Sequence, residues 1–164
     1  MTTKINHQNL GEIVYEESFW TGKKSLTVNG RQLQKINKKT FSYAEGDVSN
    51  VAVISGNFIS GTKLLINGEV VQITPPAKWY EYAMSIAIFV LIMVWGNSVA
   101  LCSILPVVGG AIGGAISGVF TILNLVLIKK TNNILLKLLI SLGFMAITFG
   151  ICLAIGFAIV LALI

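Results

Sequence analysis

Two periodicities divide this chain. From Leu10 to Ile73, apolar and polar residues alternate in short runs rich in β-branched and aromatic side chains. Gly or Asn interrupts them roughly every eight to twelve positions, the rhythm of a small all-β domain. Asn29-Gly30 separates the runs 24–28 and 31–36, and Asn67-Gly68 separates the runs 62–66 and 69–73. An Asn-Gly pair readily adopts the left-handed dihedrals of a type I′ turn, whose twist matches that of paired strands, so each reads as a hairpin. The two hairpins form a weak internal repeat, opened by Gly22 and Gly61. Residues 40–43 and 48–58 add strand material around an acidic turn at 45–47, giving about six or seven strands in all. Alternation puts Leu26, Val28, Leu33, Phe41, Tyr43, Val51 and Val53 on one buried face of a sandwich or curled sheet. Residues 1–9 are polar and read as a flexible leader.

Beyond Pro75-Pro76 the alternation stops. Proline cannot donate to a strand ladder and so closes the β region at residue 76. Residues 77–164 then read as a transmembrane domain with helices at about 80–99, 107–128 and 134–164, each long enough to cross a hydrocarbon core of roughly 30 Å. The predicted fold class is therefore a membrane protein: a small all-β N-terminal domain over 10–76, followed by a bundle of three transmembrane α-helices. Gly96-Asn97-Ser98 and Pro106 interrupt the apolar block. Residues 96–106 are either an apolar turn at the far interface or a broken helix lining something wet, because irregular backbone at membrane depth needs partners in protein or water.

The charge map sharpens the division. All seven acidic residues lie at or before Glu81, whereas residues 82–164 carry only Lys129, Lys130 and Lys137. Eighty-three residues with three charges cannot cover a water-facing surface, while hydrocarbon demands such depletion. The first 81 residues hold nine basic and seven acidic side chains in alternation, an ordinary solvated surface that offers no basic stripe for nucleic acid. Lys78, Trp79, Tyr80, Lys129, Lys130 and Lys137 have the composition of a headgroup-level belt, with Lys137 expected to snorkel outward. Three crossings put these lysines on the side of the β-domain. By the positive-inside tendency that side is cytoplasmic and the C-terminus lies outside, in a cell (inner) membrane; no secretory signal peptide is evident at the start.

The stretch GKKSLTVNGRQLQKINKKTFSY, followed by VAVISGNFISGTKLLINGEVV, resembles the β-sandwich repeat of the Fas apoptosis inhibitory molecule family. The likeness covers about fifty residues and consists of turn chemistry: a Gly-Lys strand, a Val-x-Gly hairpin and an Ile-Asn-Gly hairpin. It implies a β-sandwich binding module and transfers no active-site residue. This chain departs from the family in carrying one unit fused to a hydrophobic tail.

Candidate chemistry is sparse. Cys102 and Cys152 sit in apolar stretches, and His7 is distant, so no metal-ligand spacing exists and no cofactor is expected. The polar residues within the spans, Ser85, Ser117, Thr121, Asn124, Ser141 and Thr148, include no ionisable group, nucleophile–base pair or proton carrier, so no catalytic residue is assigned and the chain reads as non-enzymatic. Asn124 is either an interhelical hydrogen-bonding residue or, with Asn97 and Thr121, part of a pore lining. The strongest pattern is small-residue spacing: Gly110, Gly114 and Gly118 in one row with Gly109 and Gly113 beside it, and Ala146, Gly150, Ala154 and Ala158 in the last span. Such rows let helix backbones approach closely, within one protomer or between chains. The expectation is a homo-oligomer in the lipid bilayer whose cytosolic β-domain binds an unidentified ligand or protein. The alternative is an oligomeric channel or pore-forming effector gated by that domain.

Overall fold

The computed structural model describes residues 2–18, 21–45, 48–66 and 68–163, with backbone only for 43–45 and 48–50. It divides into two units, residues 1–76 and 77–164. The first is a sandwich of two antiparallel sheets. One is ordered β1 (Thr2–His7), β2 (Gly11–Glu17), β3 (Lys24–Val28), β4 (Arg31–Gln32). The other is ordered β5 (Gln34–Lys35), β6 (Thr40–Glu45), β7 (Val48–Asn57), β8 (Gly61–Ile66), β9 (Glu69–Thr74). The described residues thus form nine strands, more than the alternation predicts, because residues 2–7 add a strand and the return of the first hairpin splits at Leu33. This residue passes the chain from one sheet to the other while its N–H bonds to Leu26 O at 2.8 Å.

Both hairpins are present. Asn29 and Gly30 take φ of 49° and 76°, as a type I′ turn requires, and Val28 pairs with Arg31. The Asn29 side chain also accepts from Glu12 N at 3.0 Å, tying the turn to β2. Ile66 pairs with Glu69 around Gly68; Asn67 and the centre of the acidic turn, Gly46-Asp47, lie outside the described residues. The expected leader is corrected over residues 2–7, which form β1, paired with β2 from Thr2↔Glu16 to His7↔Gly11. It is polar because it is an edge strand with only Ile5 packed on the core.

The core joins Leu10, Ile13, Tyr15, Leu26 and Val28 of the first sheet to Phe41, Ala52, Ile54, Leu64, Ile66, Val71 and Ile73 of the second. Leu26, Val28 and Phe41 are where alternation put them, with Leu33 partly buried. In β7 the parity is the reverse of the prediction: Ala52 and Ile54 are fully buried, while Val51 is 53% exposed. The Tyr43 side chain lies outside the described residues. Residues 51–54 are all apolar, so alternation could not choose a face. The pairing Ile54↔Leu64 settles the choice, because a strand's faces follow its register.

One buried polar cluster pins the edge of the sandwich. The Glu17 carboxylate accepts from Tyr15 OH at 3.0 Å and Phe58 N at 3.1 Å, while Lys24 Nζ stands 3.9 Å away and donates to Gly56 O at 2.7 Å. These contacts join β2 and β3 to the β7–β8 turn. Burial, reinforced by the Glu17 charge, raises the Tyr15 phenol well above its ordinary value near 10.

The second unit contains α1 (Trp79–Gly96), a short α2 (Val99–Ile104), α3 (Gly110–Lys130) and α4 (Ile134–Ala162). Of these, α1, α3 and α4 are long and apolar enough to span a membrane. Their outward faces carry large apolar side chains such as Ile86, Val90, Val119, Leu139 and Leu142. The predicted first span of 80–99 ends instead at Gly96. There Asn97 folds its amide back onto Met93 O at 2.7 Å, and the Ser98 side chain caps α2. The second span starts at Gly110 rather than 107 and runs on to Lys130, because Pro106–Gly109 is extended chain held by Val108 N–H to Cys152 O at 3.0 Å. At about 43 Å, α4 is longer than one perpendicular crossing needs.

Ile54→Ala should cost the β-domain about 2–5 kcal/mol and Val51→Ala under about 0.5 kcal/mol, measured by urea unfolding with pulse proteolysis of the full-length protein in detergent. Equal costs would contradict the β7 parity. A raised folded-state value makes the Tyr15 contribution complete below pH 10 and lost as pH climbs toward that value. Stability should therefore fall more steeply above pH 10 in the wild type than in Tyr15→Phe, as read by the same assay across pH 9–12.

Candidate functional site

An apolar helix bundle in lipid has no water to satisfy its polar side chains, so those that remain must find one another. In the 77–164 unit Glu81, Ser85, Asn124, Lys137 and Ser141 do so in two stacked layers. Spacing by four residues puts Glu81 and Ser85 on one face of α1, and Lys137 and Ser141 on one face of α4. The outer layer is an ion pair: Lys137 Nζ donates to Glu81 Oε1, with both side chains buried. Glu81 Oε2 also accepts the Lys78 N–H at 2.8 Å, closing the first turn of α1. One turn deeper, Asn124 of α3 donates through Nδ2 to Ser85 Oγ and Ser141 Oγ, each at 3.1 Å, and its Oδ1 lies 3.3 Å from the Ser141 hydroxyl, which donates to it. A single amide thereby joins all three long helices.

These positions change two expectations. Lys137 does not reach outward: it is 4% exposed and turned into the bundle, because an acid stands opposite it. The spans therefore do contain ionisable groups, namely this pair. Asn124, 0% exposed, is an interhelical hydrogen-bonding residue and lines no pore within the protomer. Thr121 Oγ1 is buried without a hydrogen-bond partner, whereas Ser117 and Thr148 donate to their own helices at Gly113 O and Phe144 O, each at 2.7 Å. Asn97 is exposed in the α1–α2 connection and belongs to neither layer.

The remaining belt residues sit at the Glu81 end of the unit. Trp79 is 80% exposed, and the centre of the Tyr80 ring is 5.8 Å from Lys78 Nζ and 5.4 Å from Lys137 Nζ. Lys129 and Lys130 close α3, where positive charge suits the helix dipole.

The glycine rows divide between two uses. A Cβ on Gly109 would fall 2.2 Å from Gly96 O, and one on Gly113 would fall 2.3 Å from Val108 O and 3.2 Å from an Ile92 methyl, so these two are consumed inside the protomer. Gly114 meets Met93 Sδ at an ordinary 3.5 Å. Gly110, Gly118 and Gly150 face open space, and Ala146, Ala154 and Ala158 are exposed on α4 with Gly150. Sequence reading missed Gly156, where a Cβ would fall 1.6 Å from Pro106 O. It also missed Glu81, Ser85 and Ser141 as partners; their signal was the matched four-residue spacing.

The β-domain offers two open grooves among the described residues. One, about 560 Å³, is lined by Glu16, Glu17, Lys23, Lys24 and Lys35 together with Thr2, Ser18 and Ser25. The other, about 520 Å³, is lined by Asn6, His7, Gln8, Asn9, Glu69 and Val70. No protein-family model matches the chain, and neither a curated protein nor a solved structure matches it.

Removing one member of the ion pair leaves the other buried and unpaired. Glu81→Gln and Lys137→Met should each lower bundle stability by about 3–5 kcal/mol, and the double variant by clearly less than their sum. Asn124→Ala should cost about 1–2 kcal/mol. Thermal exposure of the buried Cys152 thiol to a fluorogenic maleimide in a Cys102→Ser background reads all four; additive single costs would contradict the pairing.

Proposed function

We propose that the chain is a non-enzymatic, self-associating membrane protein that presents a β-sandwich binding module at the cytosolic face of a cell (inner) membrane. The observation that carries this is the α4 surface: Ala146, Gly150, Ala154 and Ala158 lie exposed in one four-residue-spaced row. Small residues favour helix association in lipid, where hydrophobicity supplies no drive. The protomer leaves this row free while it consumes Gly109, Gly113 and Gly156 internally. Lys78, Lys129 and Lys130, outside the buried pair, support the cytosolic placement of the β-domain. The resemblance to the Fas apoptosis inhibitory molecule repeat supports binding rather than catalysis. Self-association would multiply weak binding by avidity.

A conducting oligomer is the competing outcome. With Asn124 committed inside the protomer, any conduit would run between copies. Detergent-corrected mass of the wild type should exceed that of one chain. Gly150→Leu should return it to one chain, and Gly109→Leu should unfold the protomer instead. A wild-type mass of one chain would overturn self-association, and ion flux from liposomes carrying the wild type would overturn the non-conducting reading.

A further inference from the structure

The Glu81 carboxylate serves two partners from different parts of the chain. Oε1 holds Lys137 of α4, and Oε2 holds the N–H of Lys78, the last residue of the four-residue tether 75–78 that separates β9 from α1. We propose that this carboxylate is a joint through which the tether governs whether Lys137 is latched inside the bundle or released to the headgroup layer.

Release is geometrically local. Lys137 is the fourth residue of α4, one turn from its cap Asn133, so its four-carbon stem can carry the ammonium back to the polar end. The Tyr80 ring, with Lys137 Nζ over its face, lines the start of that path. The Ser85–Asn124–Ser141 layer lies one turn deeper and keeps the three helices joined when the outer pair opens. The latched state depends on the aim of the carboxylate, because Lys137 stands near the N-terminus of α4, where the helix dipole disfavours a cation. The Lys78 N–H provides part of that aim. Displacing the tether withdraws this donor, turns the carboxylate and frees Lys137, with no change in the covalent chain. The device acts within one protomer and does not rest on self-association.

Lysine footprinting tests it on the full-length protein in lipid vesicles. A succinimidyl ester labels amines, and mass spectrometry compares Lys137 with the exposed Lys130. Lys78 has φ −79° and ψ 152°, which proline adopts, so Lys78→Pro deletes the N–H while keeping the backbone path. Lys78→Ala removes the same side chain and keeps the N–H. Lys78→Pro should label Lys137 about tenfold faster than wild type, the response to losing one hydrogen bond to a charged group. Lys78→Ala should label at the wild-type rate, and Cys152 should stay protected in both. A wild-type rate at Lys137 in Lys78→Pro, equal acceleration in Lys78→Ala, or Cys152 exposed together with Lys137 would each overturn the joint.

Discussion

One backbone N–H at the start of α1 and one ammonium group from the first turns of α4 converge on a single carboxylate. The first turns of α1 and α4 lie side by side, each with a positive dipole end, and Lys137 adds a full charge to that region. Glu81 is the only acidic residue after Glu69, so it is the only anion the helical unit can supply there. Without it, Lys137 would have to leave the interior, and α4 would lose the outer of the two polar contacts that fix its register against α1. The Ser85–Asn124–Ser141 layer follows from that register: once Glu81 meets Lys137, a four-residue step on each helix brings the two serines level, and Asn124 needs only to reach between them.

The helical unit uses its small residues in proportion to where polar satisfaction is hardest. At the end opposite the ion pair, the chain must turn through Asn97, α2 and Pro106 without exposing backbone groups to lipid. Gly96, Gly109 and Gly156 let three segments close on one another there, while Val108 N–H, the Trp95 indole and the Cys102 thiol find carbonyls at Cys152, Leu105 and Trp95. Glycine is thus tied to the connection, whereas the evenly spaced α4 row lies where no intramolecular contact requires it. The β-domain faces the opposite problem. Water satisfies its exterior, and among the described residues Glu17, Tyr15 and Lys24 lock the sheets to the β7–β8 turn.

Legibility from sequence followed the range of the determining interaction. The hairpins and the spans were readable because Asn-Gly chemistry and apolar run length are local. β1 was not, because TTKINH becomes a strand only through its pairing with β2. The facing of β7 was not, because both of its faces are apolar in that stretch and the register with β8 decides. The ion pair joins residues separated by 56 positions and has no local signature. Its trace, an acid and a lysine each followed four residues later by serine, becomes meaningful only when α1 and α4 are known to run parallel.

The same reasoning explains why a charged pair stands here instead of two apolar side chains. An apolar replacement of a buried pair is often no less stable, so stability alone does not account for it. What an apolar contact cannot supply in lipid is direction: against an equally apolar solvent, α4 could slide or rotate at little cost, and packing alone would leave several near-equal arrangements. A carboxylate held by a backbone N–H on one side and met by an ammonium on the other favours one register of α4 against α1. It stands in the first turn of α1, beside the residues 75–78 that follow β9.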